Sequence, residues 1–174
     1  MTEPKPKGEL STSQPGIEQV YRETRDSMAG YLVCLGLPAS QAQEVTQEVF
    51  LRLHQALRNG QKIQDVRAWL FRVAHNLGLN TRARERYRNL ADPDWERFVN
   101  PETNSPEDTA LSRERSQLLI AALKDLSPQQ RNCLFLRAEG LRYREIAEVL
   151  RIKPSTVGEF LTRAIQRLTE ALHG

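Results

Sequence analysis

The sequence predicts an all-α protein of two small helical domains joined by a flexible acidic linker. Three observations carry that expectation. Apolar residues recur at helical spacing in both halves, and no alternating Val/Ile/Thr run is bounded by turn dipeptides. The stretch from Asn89 to Thr109 loses this periodicity and is broken by Pro93, Pro101 and Pro106. Charge is segregated across that boundary. Residues 67–88 hold Arg67, Arg72, Arg82, Arg84, Arg86 and Arg88 against Glu85, net +5, and residues 89–112 hold six acids against Arg97, net −5. With 174 residues, 39% hydrophobic and only 6% aromatic, the core is expected to be aliphatic, as in helix bundles.

Residues 1–16 are polar and Pro-rich, without the apolar stretch of a signal peptide, and are expected to form a disordered tail. The first domain is expected over 17–88. Its first helix carries the stripe Val20, Met28, Tyr31, Leu32 and Leu35, and Gly36 and Pro38 mark its end and a restart. Ser40 is the expected N-cap of the second helix, with the stripe Val45, Val49, Phe50, Leu53 and Leu57, closed by Asn59-Gly60. Asp65 caps a third, whose stripe is Trp69, Leu70, Val73, Ala74 and Leu77. Asn76 and Asn80 lie one turn apart on it, and Arg84 continues their face. Amides pair with base edges and guanidinium groups with phosphate or guanine, so a basic helix carrying both suits nucleic acid.

The linker is placed at 89–109 and the second domain at 110–174. Leu111, Leu118, Leu119, Ala122 and Leu123 form its first stripe. Ser127-Pro128 opens the next helix, which includes Leu134, Phe135 and Leu136 and stops at Gly140. Tyr143–Leu150 is a short helix with Ile146, Ala147 and Leu150 inward. Pro154 then opens a longer one with Val157, Leu161, Ile165, Leu168 and Leu172 inward. A short helix, a tight turn and a longer helix are the grammar of a helix-turn-helix DNA reader. Its second helix would turn Lys153, Ser155, Thr156, Glu159 and Arg163 to DNA.

Other classes are disfavoured. Cys34 and Cys133 stand far apart among apolar residues, as core thiols do. His54, His75 and His173 fit no metal-ligand spacing, and the acids of the linker sit in a Pro-broken segment, so no enzyme and no cofactor are expected. No apolar run approaches the ~20 residues of a membrane span, and a soluble cytoplasmic protein is expected.

Four segments carry a family resemblance: Q-A-Q-E-V-T-Q-E-V-F-L-R-L-H (41–54), A-W-L-F-R-V-A-H-N-L-G-L-N-T-R-A-R-E-R (68–86), L-S-P-Q-Q-R-N-C-L-F-L-R-A-E-G (126–140) and Y-R-E-I-A-E-V-L-R-I-K-P-S-T-V (143–157). In this order and spacing the chain resembles the extracytoplasmic-function (group IV) sigma factors of bacteria. The resemblance implies a protein that binds core RNA polymerase through its β and β′ subunits, directs it to −35/−10 promoters and helps melt the −10 region. It implies polymerase contacts at Gln47, Glu48, Phe50 and Leu51, although periodicity alone reads Phe50 as core and Glu48 as solvated. It implies −10 contacts at Arg67, Arg72, Asn76, Asn80 and Arg84, with the loop from Asn59 to Val66 as the pocket for an unstacked base. It implies −35 contacts at Arg142, Lys153, Ser155, Thr156, Glu159 and Arg163. Gly158, Glu159 and Phe160 depart from the Lys, Ser and Arg usual there, which implies weaker or altered −35 dependence. A flexible linker also permits an anti-sigma factor to cover both domains. The alternative is a stand-alone LuxR-like regulator, which would explain P-S-T-V but not residues 41–86.

Overall fold

The computed structural model describes residues 16–85 and 110–173. The expected tail, the acidic linker and the basic residues Arg86 and Arg88 lie outside the described residues. The described chain forms seven helices: α1 (Ile17–Cys34), α2 (Ala39–Arg58), α3 (Val66–Glu85), α4 (Ala110–Asp125), α5 (Pro128–Ala138), α6 (Tyr143–Leu150) and α7 (Pro154–His173). Local chemistry sets most of their ends. Gly36, Gly60 and Gly140 have φ of +107°, +75° and +88°, so each stop occupies the left-handed region that glycine enters without a Cβ clash. The Asp65 carboxylate accepts from the Ala68 N–H at 2.9 Å, as its capping role requires. Ser127 and Gln130 form a reciprocal capping box ahead of Pro128 at the helix start. Ser40 does not cap: α2 begins at Ala39 behind Pro38, which leaves Ser40 inside the first turn.

The first domain packs α1, α2 and α3 around Met28, Tyr31, Leu32, Val49, Leu53, Leu70 and Phe71. The second lays α4, α5 and α6 on α7 around Cys133, Leu136, Ile146, Val157 and Leu161. Three residues expected inward point out: Leu118, Ile165 and Leu172 are 44%, 54% and 42% exposed. Leu118 and Ile165 lie in the middle of α4 and α7, where Ile120 and Ala164 are buried instead, so the packed face runs through positions other than the expected ones.

The two domains do not stand apart. α1 packs on α5 and α3 on α6, and buried residues of both domains form one continuous apolar cluster. Phe71 and His75 are buried although both lie off the expected stripe of α3, because both meet Tyr31 of α1.

Candidate nucleic-acid interface

Helix α3 presents Arg72, Asn76, Asn80 and Arg84 at four-residue steps, with Arg67 one turn before. Asn80 and Arg84 are exposed, beside a groove of about 590 Å³ whose opposite wall is Glu44, Glu48 and Arg52 of α2. The other three are engaged by the second domain. Arg67 Nη1 donates to both the backbone carbonyl and the carboxylate of Glu139, each at 3.0 Å. Arg72 Nη1 lies 3.7 Å from the Glu148 carboxylate. Arg151 Nη2 donates to Asn76 Oδ1 at 3.5 Å. The loop between α2 and α3 faces α6 across a cavity of about 390 Å³, with Lys62, Trp69 and Arg72 on one side and Glu145 and Glu148 on the other.

On α2, Gln47, Glu48 and Leu51 are exposed, Leu51 to 59%, and Glu48 pairs with Arg52 one turn on at 2.8 Å. Phe50 corrects the expectation. It is 7% exposed and packs edge-on against Tyr21, with ring centroids 4.8 Å apart. A ring already held in its own core is not an anchor for a partner. Leu51, next in sequence and so pointing some 100° away round the helix, is the exposed apolar group of the four.

In the helix-turn-helix, Arg142 is the residue before α6; its N–H donates to the Glu145 carboxylate at 2.6 Å. Arg151 closes α6 in the left-handed region at φ 55°, which turns the chain into α7. Lys153, Ser155, Glu159 and Arg163 are exposed at the start of α7, and Thr156 is half-buried. Glu159 is thus an exposed acid that falls between Lys153 and Arg163 in sequence.

Between the domains lies a buried polar seam. The Tyr31 hydroxyl and His75 Nδ1 are 2.8 Å apart, and Tyr31 also meets Phe135 of α5 at 5.5 Å between centroids. Cys34 Sγ lies 3.7 Å from Asn132 Oδ1. Burial, helped by the nearby Arg151 charge, lowers the His75 pKa to about 4, so the ring is neutral and fits as acceptor of the phenol proton. Burial pushes the Cys34 and Cys133 thiols up to about 12 and about 11, which makes both poor nucleophiles, in keeping with their reading as core residues.

Residues 20–88 match the family model for Sigma-70 region 2, and residues 116–168 that for Sigma-70, region 4. Over 156 residues the chain is 33% identical to the ECF RNA polymerase sigma factor SigL of Mycobacterium tuberculosis, covering 87% of this chain and 86% of that one. The chain belongs to the ECF sigma factors.

Other members bear this out at different lengths. The ECF sigma factor SigE of Mycolicibacterium smegmatis is 33% identical over 164 residues, and BldN of Streptomyces coelicolor 28% over 159. This sigma factor spans 63% and 59% of their lengths. Its fold is that of the sigma factor RpoE solved with the anti-sigma factor NepR from Bartonella quintana, with a TM-score of 0.61, 20% identity and coverage of 90% and 96% of the two chains. It is also that of CnrH solved with the cytosolic domain of CnrY, with a TM-score of 0.56 and 23% identity. The LuxR-like alternative is not supported, because the half it left unexplained is the region 2 match. Among the described residues of this sigma factor no helix is long and apolar enough to cross a membrane, and no three His, Cys, Asp or Glu cluster as metal ligands. Sequence reasoning missed Glu139, Glu148 and Arg151, the groups that hold the −10 candidates. Their partners are 72, 76 and 75 positions away, and no local pattern links charges at that distance.

Proposed function

We propose that this chain binds core RNA polymerase, directs it to promoters with −35 and −10 elements and assists melting of the −10 region, leaving all catalysis to the polymerase. The observation that carries the reading is the succession of regions 2 and 4 along one chain. Gln47, Glu48 and Leu51 offer a carboxylate, an amide and an apolar group on one face of α2, suited to a basic coiled-coil surface on the β′ subunit. Asn80 and Arg84 offer base-edge and phosphate contacts, and Arg67, Arg72 and Asn76 extend that face. The start of α7, with Arg142 beside it, enters the −35 major groove. Work on promoters places the protein in the cytoplasm. A protein that covers both domains, as an anti-sigma factor would, is a further partner of this reading.

Run-off transcription with purified core polymerase tests it. Transcripts from a specific promoter are expected only when the protein is added. Asn80→Ala is expected to abolish promoter opening while leaving core binding intact, and Glu48→Lys to abolish core binding. A duplex shifted by the protein alone, without core binding, would overturn the proposal.

A further inference from the structure

Helix α7 turns one face to its own domain and the opposite face outward. Val157, Leu161 and Ala164 are buried against the domain. Ser155, Glu159, Thr162 and Gln166, at i, i+4, i+7 and i+11, share the outward face, and all four are exposed. In the second turn Gly158 has no side chain, Phe160 packs on the core and Leu161 is buried, so Glu159 alone of residues 158–161 reaches outward. Its neighbours on that face are engaged within the helix. Thr162 Oγ1 donates to the Gly158 carbonyl and Gln166 Nε2 to the Glu170 carboxylate, each at 2.9 Å. Among the described residues no hydrogen bond or ion pair holds the Glu159 carboxylate, although Arg163 follows one turn on.

We propose that Glu159 reads a cytosine in the −35 element, its carboxylate accepting from the N4 amino group in the major groove. The inference rests on the promoter reading given above, in which the start of α7 enters that groove. A carboxylate offers acceptors and no donor. Guanine shows the acceptors N7 and O6 in the major groove, and thymine shows O4 and a methyl group, so neither gives it a partner. Adenine shows an N6 donor, but with the acceptor N7 beside it, which repels the second carboxylate oxygen. Cytosine shows the N4 donor with no acceptor of its own alongside. The repulsion between Glu159 and DNA phosphates is the same on every sequence, whereas the base contact depends on sequence. Glu159 therefore weakens binding to all duplexes and weakens it least where a cytosine stands opposite. A carboxylate at this place exchanges overall affinity for discrimination.

Glu159 is exposed, so its variants are expected to fold as the native chain does. Holoenzyme assembled with the full-length protein, with Glu159→Ala and with Glu159→Gln is used to select from a duplex library randomised across both promoter elements. The native protein is expected to enrich cytosine at one −35 position, with discrimination of about tenfold against guanine or thymine. Glu159→Ala is expected to lose the preference at that position and to keep it at the others. Glu159→Gln is expected to move the preference to adenine, which an amide can meet at both N6 and N7, a change that mere loss of structure would not produce. On the selected promoter that cytosine is then replaced by 2-pyrimidinone, which lacks the N4 amino group. Binding should fall about tenfold for the native protein and not at all relative to cytosine for Glu159→Ala. Selected pools that are the same for the native protein and Glu159→Ala, or an equal effect of 2-pyrimidinone on both, overturn the assignment and leave the promoter reading standing. If holoenzyme with the native protein enriches no duplex, the promoter reading is overturned, and the cytosine contact with it.

Discussion

At single residues, two glycines show how packing decides the sign of one substitution. Both lie inside helices, where alanine is favoured by about 1 kcal/mol. A Cβ on Gly78 would fall 2.7 Å from Leu35 Cδ2 and 2.8 Å from Leu32 Cδ2, and both leucines are buried in the first domain. Overpacking there costs about 1–3 kcal/mol, so Gly78→Ala is expected to destabilise the protein despite its helix propensity. At Gly158 the added carbon would touch only Tyr143 Cε2, at an ordinary 3.6 Å. Gly158→Ala is expected to stabilise by about 0.5–1 kcal/mol. Urea unfolding of the two variants should move their midpoints in opposite directions. His75 supplies a pH response. Its pKa is about 4 in the folded chain against an ordinary 6.5, so the unfolded chain binds the proton more tightly. Stability is unaffected above pH 6.5, falls as pH drops from about 6.5 to about 4, and then levels off. The full loss is about 3 kcal/mol, and His75→Gln should flatten that window in unfolding curves measured from pH 7 to pH 4.

At the scale of elements, helix ends were the most legible feature of the sequence. Ser127 before Pro128, Asp65 before Val66 and the glycines after α1, α2 and α5 each act through backbone groups within four residues, so their chemistry is complete locally. Ser127→Ala removes the acceptor of the Gln130 N–H and is expected to cost about 1 kcal/mol, measurable by thermal unfolding. The start of α7 is the other element with a local consequence. Glu159, between Lys153 and Arg163 in sequence, stands exposed on the surface proposed for −35 DNA. Binding to −35 duplexes is expected to be weaker and shallower in its salt dependence than a fully basic helix would give. Glu159→Lys should deepen the slope of log affinity against log salt by about one unit. An unchanged slope would mean that this face does not meet phosphate. Stripes were less reliable than ends. Periodicity states where a helix is apolar, but which of those positions is covered is decided by the neighbour it meets, and Leu118, Ile165 and Leu172 emerge exposed while Ile120 and Ala164 are buried.

For the whole molecule, the sequence by itself determined the helical class, the seven helices of the described residues with most of their limits, the division into two domains and, through four motif segments, the family. Those properties are written in contacts between residues a few positions apart or in residue patterns. The placement of one domain on the other was decided only by the tertiary structure. So were the burial of Phe71 off the expected stripe of α3, the neutral His75 beside Tyr31, and the pairing of Arg67, Arg72 and Asn76 with Glu139, Glu148 and Arg151. Phe50 belongs with these: periodicity reads it as core while the resemblance implies a polymerase contact, and in the fold it packs against Tyr21 of a different helix. Each depends on side chains from distant parts of the chain meeting across a packed surface. Charge and apolarity in the sequence state what a residue can do, and only the fold states which of its many suitable partners it has met.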